Sequence, residues 1–170
     1  MSLSRRQILP AAFTIVPRSV LGGPGYTAPS DMLVLAAAGV GGMGAEYLKG
    51  CESQTVGALC DVDTPFAARI FRKYPQAKTY TDFRVMLERE KGIDAVIIGT
   101  PDHTHASVAS AAMKLGKHVY CAKPMTRTVH EARALARLAR GQKLATQMSV
   151  QSCASDEACS AEEWLRAGAI

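Results

Sequence analysis

Short apolar segments alternate with amphipathic, helix-like segments along most of this chain, and that alternation restricts the fold more than any other feature. The apolar segments are almost continuous, as in strands that are covered on both faces. We predict strands at residues 32–38, 55–60, 94–99, 117–121 and 143–148, with a weaker one at 77–80. A succession of strand, helix and strand repeated this often predicts an α/β fold built on a doubly wound parallel sheet.

The segments between the predicted strands carry signals for helix starts and ends. A helix is expected from Thr64 to Pro75, because a proline in that place cannot continue it. Another is expected from Thr128 to Gly141, because Glu131 follows Thr128 at the spacing of a capping box. Further helix patterns occupy residues 82–90 and 103–116. The second of these is rich in alanine, which predicts close packing of its helix on the sheet.

The composition fits a soluble domain with its own core. The chain has 170 residues, of which 48% are hydrophobic and 21% are charged. Its 20 basic and 15 acidic side chains give a net charge of +5, but three arginines lie in the first thirty residues, without which the charge is +2. So mild an excess, with 6% aromatic residues to act as stacking platforms, does not predict nucleic-acid binding.

The first thirty residues differ in composition from the rest of the chain. They begin with Ser4, Arg5 and Arg6, continue into the apolar segment "ILPAAFTIV" and then become rich in glycine and proline. This pattern resembles the twin-arginine leader of bacterial export, so we predict that residues 1–30 are a leader and that the protein is periplasmic. A disordered arm on a cytoplasmic protein is the alternative. The apolar part is too short for a stable membrane span, which needs about 20 apolar residues.

The cysteines do not form a recognisable pattern. Their number, five, is odd, and no two of them have Cys-x-x-Cys spacing. A disulfide framework or a zinc site is therefore not predicted. Cys60 and Cys121 end apolar runs, where a thiol packs as a small hydrophobic group. We expect the cysteines to be buried thiols, and we expect no metal site.

The first predicted strand runs directly into a glycine-rich turn, "GVGGMG". Gly39, Gly41 and Gly44 stand at G-x-G-x-x-G spacing, in which they allow a tight turn, close approach of a pyrophosphate and close packing of a helix, respectively. The following helix would offer unpaired N–H groups to an anion. These features predict a dinucleotide-binding Rossmann fold. The predicted cofactor-binding residues of the turn are Gly39, Val40, Gly41, Gly42, Met43 and Gly44.

Asp61 ends the second predicted strand, 22 residues after Gly39. A carboxylate there can accept hydrogen bonds from the adenosine ribose and would repel a 2′-phosphate. No arginine follows at once to receive such a phosphate, so the sequence favours NAD over NADP. The alternative is that Asp61 is a loop or helix-capping carboxylate, although its neighbour Asp63 is the better candidate for a cap.

Two further turns follow the fourth and fifth predicted strands. They read "TPDHTH" at residues 100–105 and "CAKPMT" at residues 121–126. In an open parallel sheet the ligand crevice lies beyond the carboxyl ends of the strands, so both turns point at the same place. A methyltransferase that binds S-adenosylmethionine shares the glycine turn and the acidic residue, but it does not explain "CAKP".

Together these motifs resemble the family of glucose-fructose oxidoreductase, inositol dehydrogenase and rhizopine-catabolism proteins, called Gfo/Idh/MocA. The resemblance covers residues 32 to about 150, where "GVGGMG", "CDVD", "TPDHTH", "GKHVYCAKP" and "ATQM" occur in the family's order and spacing. It implies an NAD-dependent oxidoreductase that transfers hydride between a nicotinamide cofactor and a sugar or polyol. A nucleotide-binding module without catalytic activity is the alternative.

The resemblance also implies roles for individual residues. Lys123 matches the lysine of the family's Glu-Lys-Pro signature, which reaches both nicotinamide and substrate, so it is the expected catalytic residue. A compact ammonium there can stabilise charge that develops on a substrate oxygen. Pro124 would fix the turn that aims it. The other residues expected at the cofactor are Thr100, Pro101, Asp102, His105 and Gln147. For His105, packing at a helix start is an equal alternative.

Three departures from the family pattern bear on function. Ala122 stands where the signature has glutamate, and Ser149 and Val150 stand where relatives tend to have Gly-Asn, so polar contacts to the cofactor are expected to be lost. The third concerns length, because family members continue into a second α/β domain that forms the substrate wall and the oligomer interface. We expect residues 31–150 to be the cofactor domain and residues 151–170 to begin the connection to that second domain. As a fragment, the chain is expected to lack turnover and homo-oligomers.

Overall fold

The computed structural model describes residues 27–150 and 155–169, together with Gly23 and Cys153. The predicted leader therefore falls largely outside the described residues. Near its end lies a short 3-10 helix, Pro29–Asp31. Residues 33–170 form one compact unit, and this unit contains the α/β fold.

In the described part of the chain, six parallel strands form one sheet. The strands are β1 (Val34–Ala38), β2 (Thr55–Cys60), β3 (Lys78–Tyr80), β4 (Ala95–Ile98), β5 (His118–Cys121) and β6 (Thr146–Met148). Their order across the sheet is β3-β2-β1-β4-β5-β6, so the chain builds outward from β1 in one direction and then returns to the other side of β1 at β4. This is the predicted doubly wound parallel sheet, and the six predicted strands are confirmed.

Helices connect the strands and follow the last one. They are α1 (Met43–Lys49), α2 (Thr64–Lys73), α3 (Phe83–Arg89), α4 (Asp102–Lys114), α5 (Val129–Gln142) and α6 (Asp156–Arg166). The first five match predicted helices. Helix α6 lies in the segment expected to be a connection, where Ser155 caps it by accepting a hydrogen bond from the Ala158 N–H at 3.3 Å. No helix among these residues is long and apolar enough to cross a membrane.

Side-chain caps decide where α2 and α5 begin. Asp63 Oδ1 accepts a hydrogen bond from the Phe66 N–H at 2.9 Å, which confirms Asp63 as the cap of α2. The predicted capping box is present at α5, since Thr128 Oγ1 accepts from the Glu131 N–H at 3.1 Å and Glu131 Oε2 accepts from the Thr128 N–H at 3.0 Å. Helix α5 runs past its predicted end, because Lys143 rather than a glycine takes the left-handed conformation, with φ of 54°.

Helices cover both faces of the sheet, and successive strand residues alternate between the two faces. On one face β1 contributes Ala36 and Ala38 to a core shared with α3, α4 and α5. On the other face Leu35 and Ala37 join a core shared with α1 and α2. All four side chains are buried, as is Ala112 of the alanine-rich α4. The structure thus confirms coverage on both sides for the central strands and close packing of α4, whereas β3 and β6 are largely exposed because they lie at the two edges of the sheet.

The cysteines fall into two groups. Cys60 and Cys121, at the ends of β2 and β5, are buried as predicted, and burial raises the pKa of each thiol to about 12. Cys51 is half-buried. The expectation of burial is wrong for Cys153 and Cys159, which are exposed because they follow the last strand rather than end one.

Candidate cofactor cleft

A cleft of about 820 Å³ opens at the carboxyl ends of four strands. Its lining includes Ala38 and Cys60, the last residues of β1 and β2, and Gly99 and Ala122, which directly follow β4 and β5. These four strands flank the point where the strand order reverses, between β1 and β4. Ligands of open parallel sheets bind at this reversal, so the turns that the sequence singled out do meet at one place.

The glycine turn is packed so tightly against its neighbours that two of its glycines, Gly39 and Gly44, cannot carry side chains. Gly39 has a φ of +78°, and a Cβ on it would lie 2.4 Å from the Thr100 backbone nitrogen. A Cβ on Gly44 would lie 2.1 Å from the Gly39 carbonyl oxygen. On the far side, a Cβ on Gly99 would lie 2.6 Å from the Gly44 Cα. The missing side chains therefore let α1 begin directly against the ends of β1 and β4.

Gly41 is a different case, because an aromatic side chain and not backbone fills the space beside it. A Cβ on Gly41 would lie 2.1 Å from Cδ1 and 2.6 Å from Cε1 of Phe66. The Phe66 ring, from the first turn of α2, thus lies over this glycine. It is nevertheless 62% exposed and lines the cleft.

Asp61 lies half-buried beneath the same turn. Its Oδ2 accepts hydrogen bonds from the N–H groups of Val40, at 2.8 Å, and Gly41, at 2.9 Å. Its Oδ1 accepts from the Asp63 N–H at 3.0 Å. Asp61 therefore does hold its neighbouring loops together, as the alternative of a loop carboxylate requires. Oδ2 already accepts two hydrogen bonds and Oδ1 only one, so Oδ1 can accept one more, from a ligand hydroxyl.

His105 connects the two turns that follow β4 and β5. The side chain is 1% exposed. Its Nδ1 lies 2.6 Å from the Pro124 carbonyl oxygen, and its Nε2 lies 2.6 Å from the Thr100 carbonyl oxygen. The ring thus holds the turn that contains Lys123 against the turn that begins at Thr100. The two alternatives for His105 are contact with the cofactor and packing at a helix start. The side chain does pack at the start of α4, and it also lines the cleft.

Lys123 follows Ala122, directly beyond the end of β5. The Ala122 N–H donates to the Ile98 carbonyl at 2.8 Å, and the Lys123–Pro124 peptide is cis. Lys123 is exposed, and it is the one lysine or arginine among the described residues that lines the cleft. Asp61, Asp63 and Asp102 line the same cleft. The charged side chains of the cleft are therefore three carboxylates and one ammonium.

Ser149, one of the departures from the family pattern, is buried behind the cleft wall. Its Oγ lies 2.6 Å from the Tyr47 hydroxyl, and its N–H donates to the Cys121 carbonyl at 2.8 Å. The Tyr47 ring meets the Tyr120 ring edge to face, with centroids 5.2 Å apart. Burial is the main cause that raises the pKa of the Tyr120 phenol. Ser149 thus fastens the end of β6 to α1, which itself lines the cleft through Tyr47.

The structure brings most of the predicted site residues to the cleft. Those that line it are Gly39, Gly42, Met43, Asp61, Thr100, Pro101, Asp102, His105 and Lys123. Five others do not line it, and each has a local reason. The Val40 side chain is wholly buried, the Phe66 ring covers Gly41, and Gly44, the second residue of α1, is buried against Gly39. Pro124 follows Lys123 outward, and Gln147 is exposed on β6, where its amide donates to the Met148 carbonyl at 2.9 Å.

Sequence reasoning missed four large side chains in the cleft. They are Tyr47, Val62, Phe66 and Phe83. Val62 follows the acidic residue directly, so its position at a strand end could have indicated it. The other three sit on helices whose orientation depends on packing, and nothing in their local sequence marks them.

A cleft at the reversal of a parallel sheet, bounded by a glycine turn and an acidic strand end, defines a Rossmann-type dinucleotide-binding domain. The family model described as "Oxidoreductase family, NAD-binding Rossmann fold", Gfo/Idh/MocA, matches residues 34–150. The chain belongs to this family. The match confirms the resemblance found in the sequence and gives no support to a methyltransferase.

Individual relatives match over a limited part of their length. An inositol 2-dehydrogenase of Salmonella paratyphi B is 33% identical over 95 residues, covering 53% of this chain and 28% of that protein. A levoglucosan dehydrogenase of Pseudarthrobacter phenanthrenivorans is 27% identical over 112 residues, covering 66% of this chain and 28% of that protein. The crystal structure of a Lactobacillus plantarum myo-inositol 2-dehydrogenase superposes with a TM-score of 0.72 at 23% identity, covering 82% of this chain and 42% of that one. The chain thus spans less than half the length of these relatives.

Proposed function

We propose that the cleft binds NAD and that this chain forms the cofactor-binding part of an oxidoreductase acting on a sugar or polyol. The family's domain is an NAD-binding Rossmann fold. The observation that carries the proposal in this chain is the glycine turn, where Cβ atoms at Gly39 and Gly44 would lie 2.4 Å and 2.1 Å from backbone atoms. At Gly39 the end of β1 therefore presents backbone without a side chain to the cleft, where a pyrophosphate is bound in such folds, whereas the Phe66 ring covers Gly41.

The polar groups of the cleft fit a dinucleotide. Thr100 Oγ1 is the one buried side-chain polar atom among the described residues that has no hydrogen-bond partner. Because an unpaired buried hydroxyl costs free energy, a ligand group at this wall would be favoured. Asp61 can accept a hydrogen bond from a ribose hydroxyl while it holds the turn. NAD is preferred over NADP in this proposal, since the cleft offers three carboxylates and a single lysine to any added phosphate.

The proposed catalytic role belongs to Lys123. Bound NAD would supply the acceptor for a hydride that leaves a carbinol carbon of the substrate. The ammonium of Lys123 can donate a hydrogen bond to the substrate oxygen and stabilise the negative charge that develops there while the hydroxyl proton passes to water. His105 is a positioning residue, because it holds the turn of Lys123 beside Thr100 through the two contacts of 2.6 Å. The names of the relatives, inositol and levoglucosan dehydrogenases, support a polyol or sugar as substrate.

A titration with reduced cofactors tests the binding part of the proposal. The parent chain is expected to bind NADH more tightly than NADPH, measured by cofactor fluorescence and by calorimetry. Asp61→Ala should weaken NADH binding by about tenfold, the scale of one lost charge-assisted hydrogen bond, and should narrow the preference for NADH.

Asp94→Ala is the matched control for this titration. Asp94 Oδ2 also accepts a hydrogen bond from a backbone N–H, that of Val34 at 2.7 Å, but Asp94 precedes β4 at the opposite end of the sheet. Its loss should lower stability without changing the preference between cofactors. A parent chain that binds neither cofactor would contradict the proposed function.

We further propose export through the twin-arginine-like leader. The support is the sequence alone, namely Arg5 and Arg6 before an apolar segment in a stretch without carboxylates. Residues 1–30 fused to a reporter that folds before export should carry it to the periplasm, and replacing both arginines by lysine should retain it in the cytoplasm. Equal cytoplasmic retention of both fusions would overturn this proposal and leave a disordered arm.

A further inference from the structure

We propose that Phe66 sets the cofactor preference of this chain by closing the space beside Asp61 in which a 2′-phosphate would have to lie. This inference rests on the proposed function, because it concerns the adenosine end of the same cleft. It assigns to an aromatic side chain on α2 a steric role that adds to the repulsion of a 2′-phosphate by the Asp61 carboxylate.

The position of the ring is the first support. Phe66 lies over Gly41, with Cδ1 at 2.1 Å and Cε1 at 2.6 Å from the place of a Cβ there. The N–H of this same Gly41 donates to Asp61 Oδ2 at 2.9 Å. The N–H of Gly41 thus contacts the Asp61 carboxylate, and the Phe66 ring lies where a side chain on Gly41 would be. A ribose held by Asp61 beside the turn therefore has the Phe66 ring as its neighbour.

The exposure of the ring is the second support. Phe66 is 62% exposed, so the side chain does not complete the core under α2, where Ala67 and Ile70 are buried instead. Two other exposed apolar side chains line the same cleft, Val62 at 85% and Met43 at 46% exposure. Exposed apolar groups gathered in one cleft point to an apolar ligand surface. The faces of an adenine and a ribose ring are such a surface.

The charge around the ring is the third support. A 2′-phosphate needs a cationic donor beside the ribose, a place often taken by arginine in NADP-binding domains. Here Gly41 contacts a carboxylate, Asp61, and a phenyl ring that offers no hydrogen bond, and a second carboxylate, Asp63, lines the same cleft. The first arginine of α2, Arg69, follows one turn after Phe66 and does not line the cleft. The ring therefore occupies the place from which a cation would act.

Three substitutions at this position test the inference. In Phe66→Arg a guanidinium replaces the ring, so the affinity for NADPH relative to NADH should rise by about a hundredfold, as two or more charge-assisted hydrogen bonds form. Phe66→Ala should raise the relative affinity for NADPH by a smaller factor, because it makes room for the 2′-phosphate but adds no hydrogen-bond donor. Phe66→Leu keeps an apolar wall and should leave the preference for NADH within about twofold of the parent.

Two smaller ligands confine the test to the adenosine end. AMP and adenosine 2′,5′-bisphosphate differ by the 2′-phosphate alone, so Phe66→Arg should favour the bisphosphate over AMP by the same factor as NADPH over NADH. Val129→Ala is the control, because Val129 is 68% exposed and does not line the cleft. Circular dichroism of each variant checks that the fold is retained, which the exposure of Phe66 predicts.

The outcomes separate this inference from the proposed function. If the parent binds NADH and Asp61→Ala changes the preference while Phe66→Arg and Phe66→Ala leave it unchanged, the inference about Phe66 is overturned and the proposed function stands. An equal gain in the relative affinity for NADPH with Phe66→Leu and Phe66→Arg would also overturn the inference, since the charge of the introduced guanidinium would then have no effect. If the parent binds no NADH, both fail together.

Discussion

The two sides of the cleft are built in different ways. On the glycine-turn side (residues 39–44, Asp61 and Gly99), backbone packs against backbone, and a Cβ on Gly39, Gly44 or Gly99 would overlap its neighbours. On the lysine side (residues 122–125 and 147–149), Lys123, Pro124, Gln147 and Met148 are exposed. The glycine-turn side is therefore tightly packed by its own backbone. The lysine side carries its functional groups on a surface that no described residue encloses.

This difference separates binding from catalysis in the molecule. The glycine-turn side makes its shape from contacts within residues 33–170, so under the proposed function we expect this chain to bind the cofactor by itself. The lysine side presents an ammonium at the end of β5, but a reaction needs its substrate held in place, and positioning alone can supply about 7–11 kcal/mol of a barrier. The comparison predicts that substitutions on the first side change folding and affinity, whereas those on the second side change chemistry.

The largest expected effect is on the lysine side. Joined to the remaining part of a related inositol dehydrogenase, the chain should oxidise the relative's substrate, and Lys123→Ala should lower kcat by roughly a hundredfold with little change in NADH affinity. Stopped-flow measurement of NADH production and a parallel titration would check both parts. An unaffected kcat would remove Lys123 from the mechanism and favour a nucleotide-binding module without catalysis.

The next effect is on the glycine-turn side. Gly44→Ala places a Cβ 2.1 Å from the Gly39 carbonyl oxygen, so it should lower the free energy of unfolding by about 2 kcal/mol or more. Gly141→Ala is the control, because no atom lies within 4 Å of its Cβ position and alanine favours the helix α5. Urea unfolding should find the control as stable as the parent or more stable by about 0.5–1 kcal/mol. Equal stability of both variants would mean that the turn is not tightly packed.

A smaller effect is expected where the two sides are joined. Ser149→Ala removes the 2.6 Å contact with Tyr47 and should lower the free energy of unfolding by about 1 kcal/mol. Thr146→Ala, at an exposed position on β6, should change it by less than about 0.5 kcal/mol. If urea unfolding showed the same loss of unfolding free energy for both variants, the contact of Ser149 with Tyr47 would not stabilise the packing of β6 against α1.

The smallest effect concerns thiol labelling in the sheet beneath the cleft. The buried cysteines of the glycine-turn side and of the lysine side should be equally unreactive. Cys60 and Cys121 end β2 and β5, and burial raises the pKa of each to about 12. Because the pKa values are raised, both groups stay thiols below that pH while the chain is folded. At pH 8 a thiol reagent should modify Cys153 and Cys159 quickly, Cys51 slowly, and Cys60 and Cys121 not at all. Mass spectrometry of digested protein distinguishes the sites, and rapid labelling of Cys121 alone would mean that the lysine side opens in solution.

Much of this organisation could be predicted from the sequence because it depends on local signals. Continuous apolar runs predict buried parallel strands, and Thr128 with Glu131 predicts the start of α5, since each signal acts within a few residues. Helix α6 was not predicted, because residues 151–170 were interpreted as a connection rather than as part of the repeating strand and helix pattern. The exposure of Cys153 and Cys159 was missed for a related reason, because burial depends on what packs against a segment.

The sequence by itself determined that this chain is a doubly wound dinucleotide-binding domain and where its glycine turn, its acidic strand end and its lysine lie along the chain. Periodicity, caps and glycine spacing are short-range properties, so they are readable without coordinates. The tertiary structure alone decided that Phe66 lies over Gly41, that His105 joins the turns of Thr100 and Pro124, and that Ser149 bonds to Tyr47. These contacts depend on how helices and strands distant in sequence pack together, and no local pattern specifies that packing.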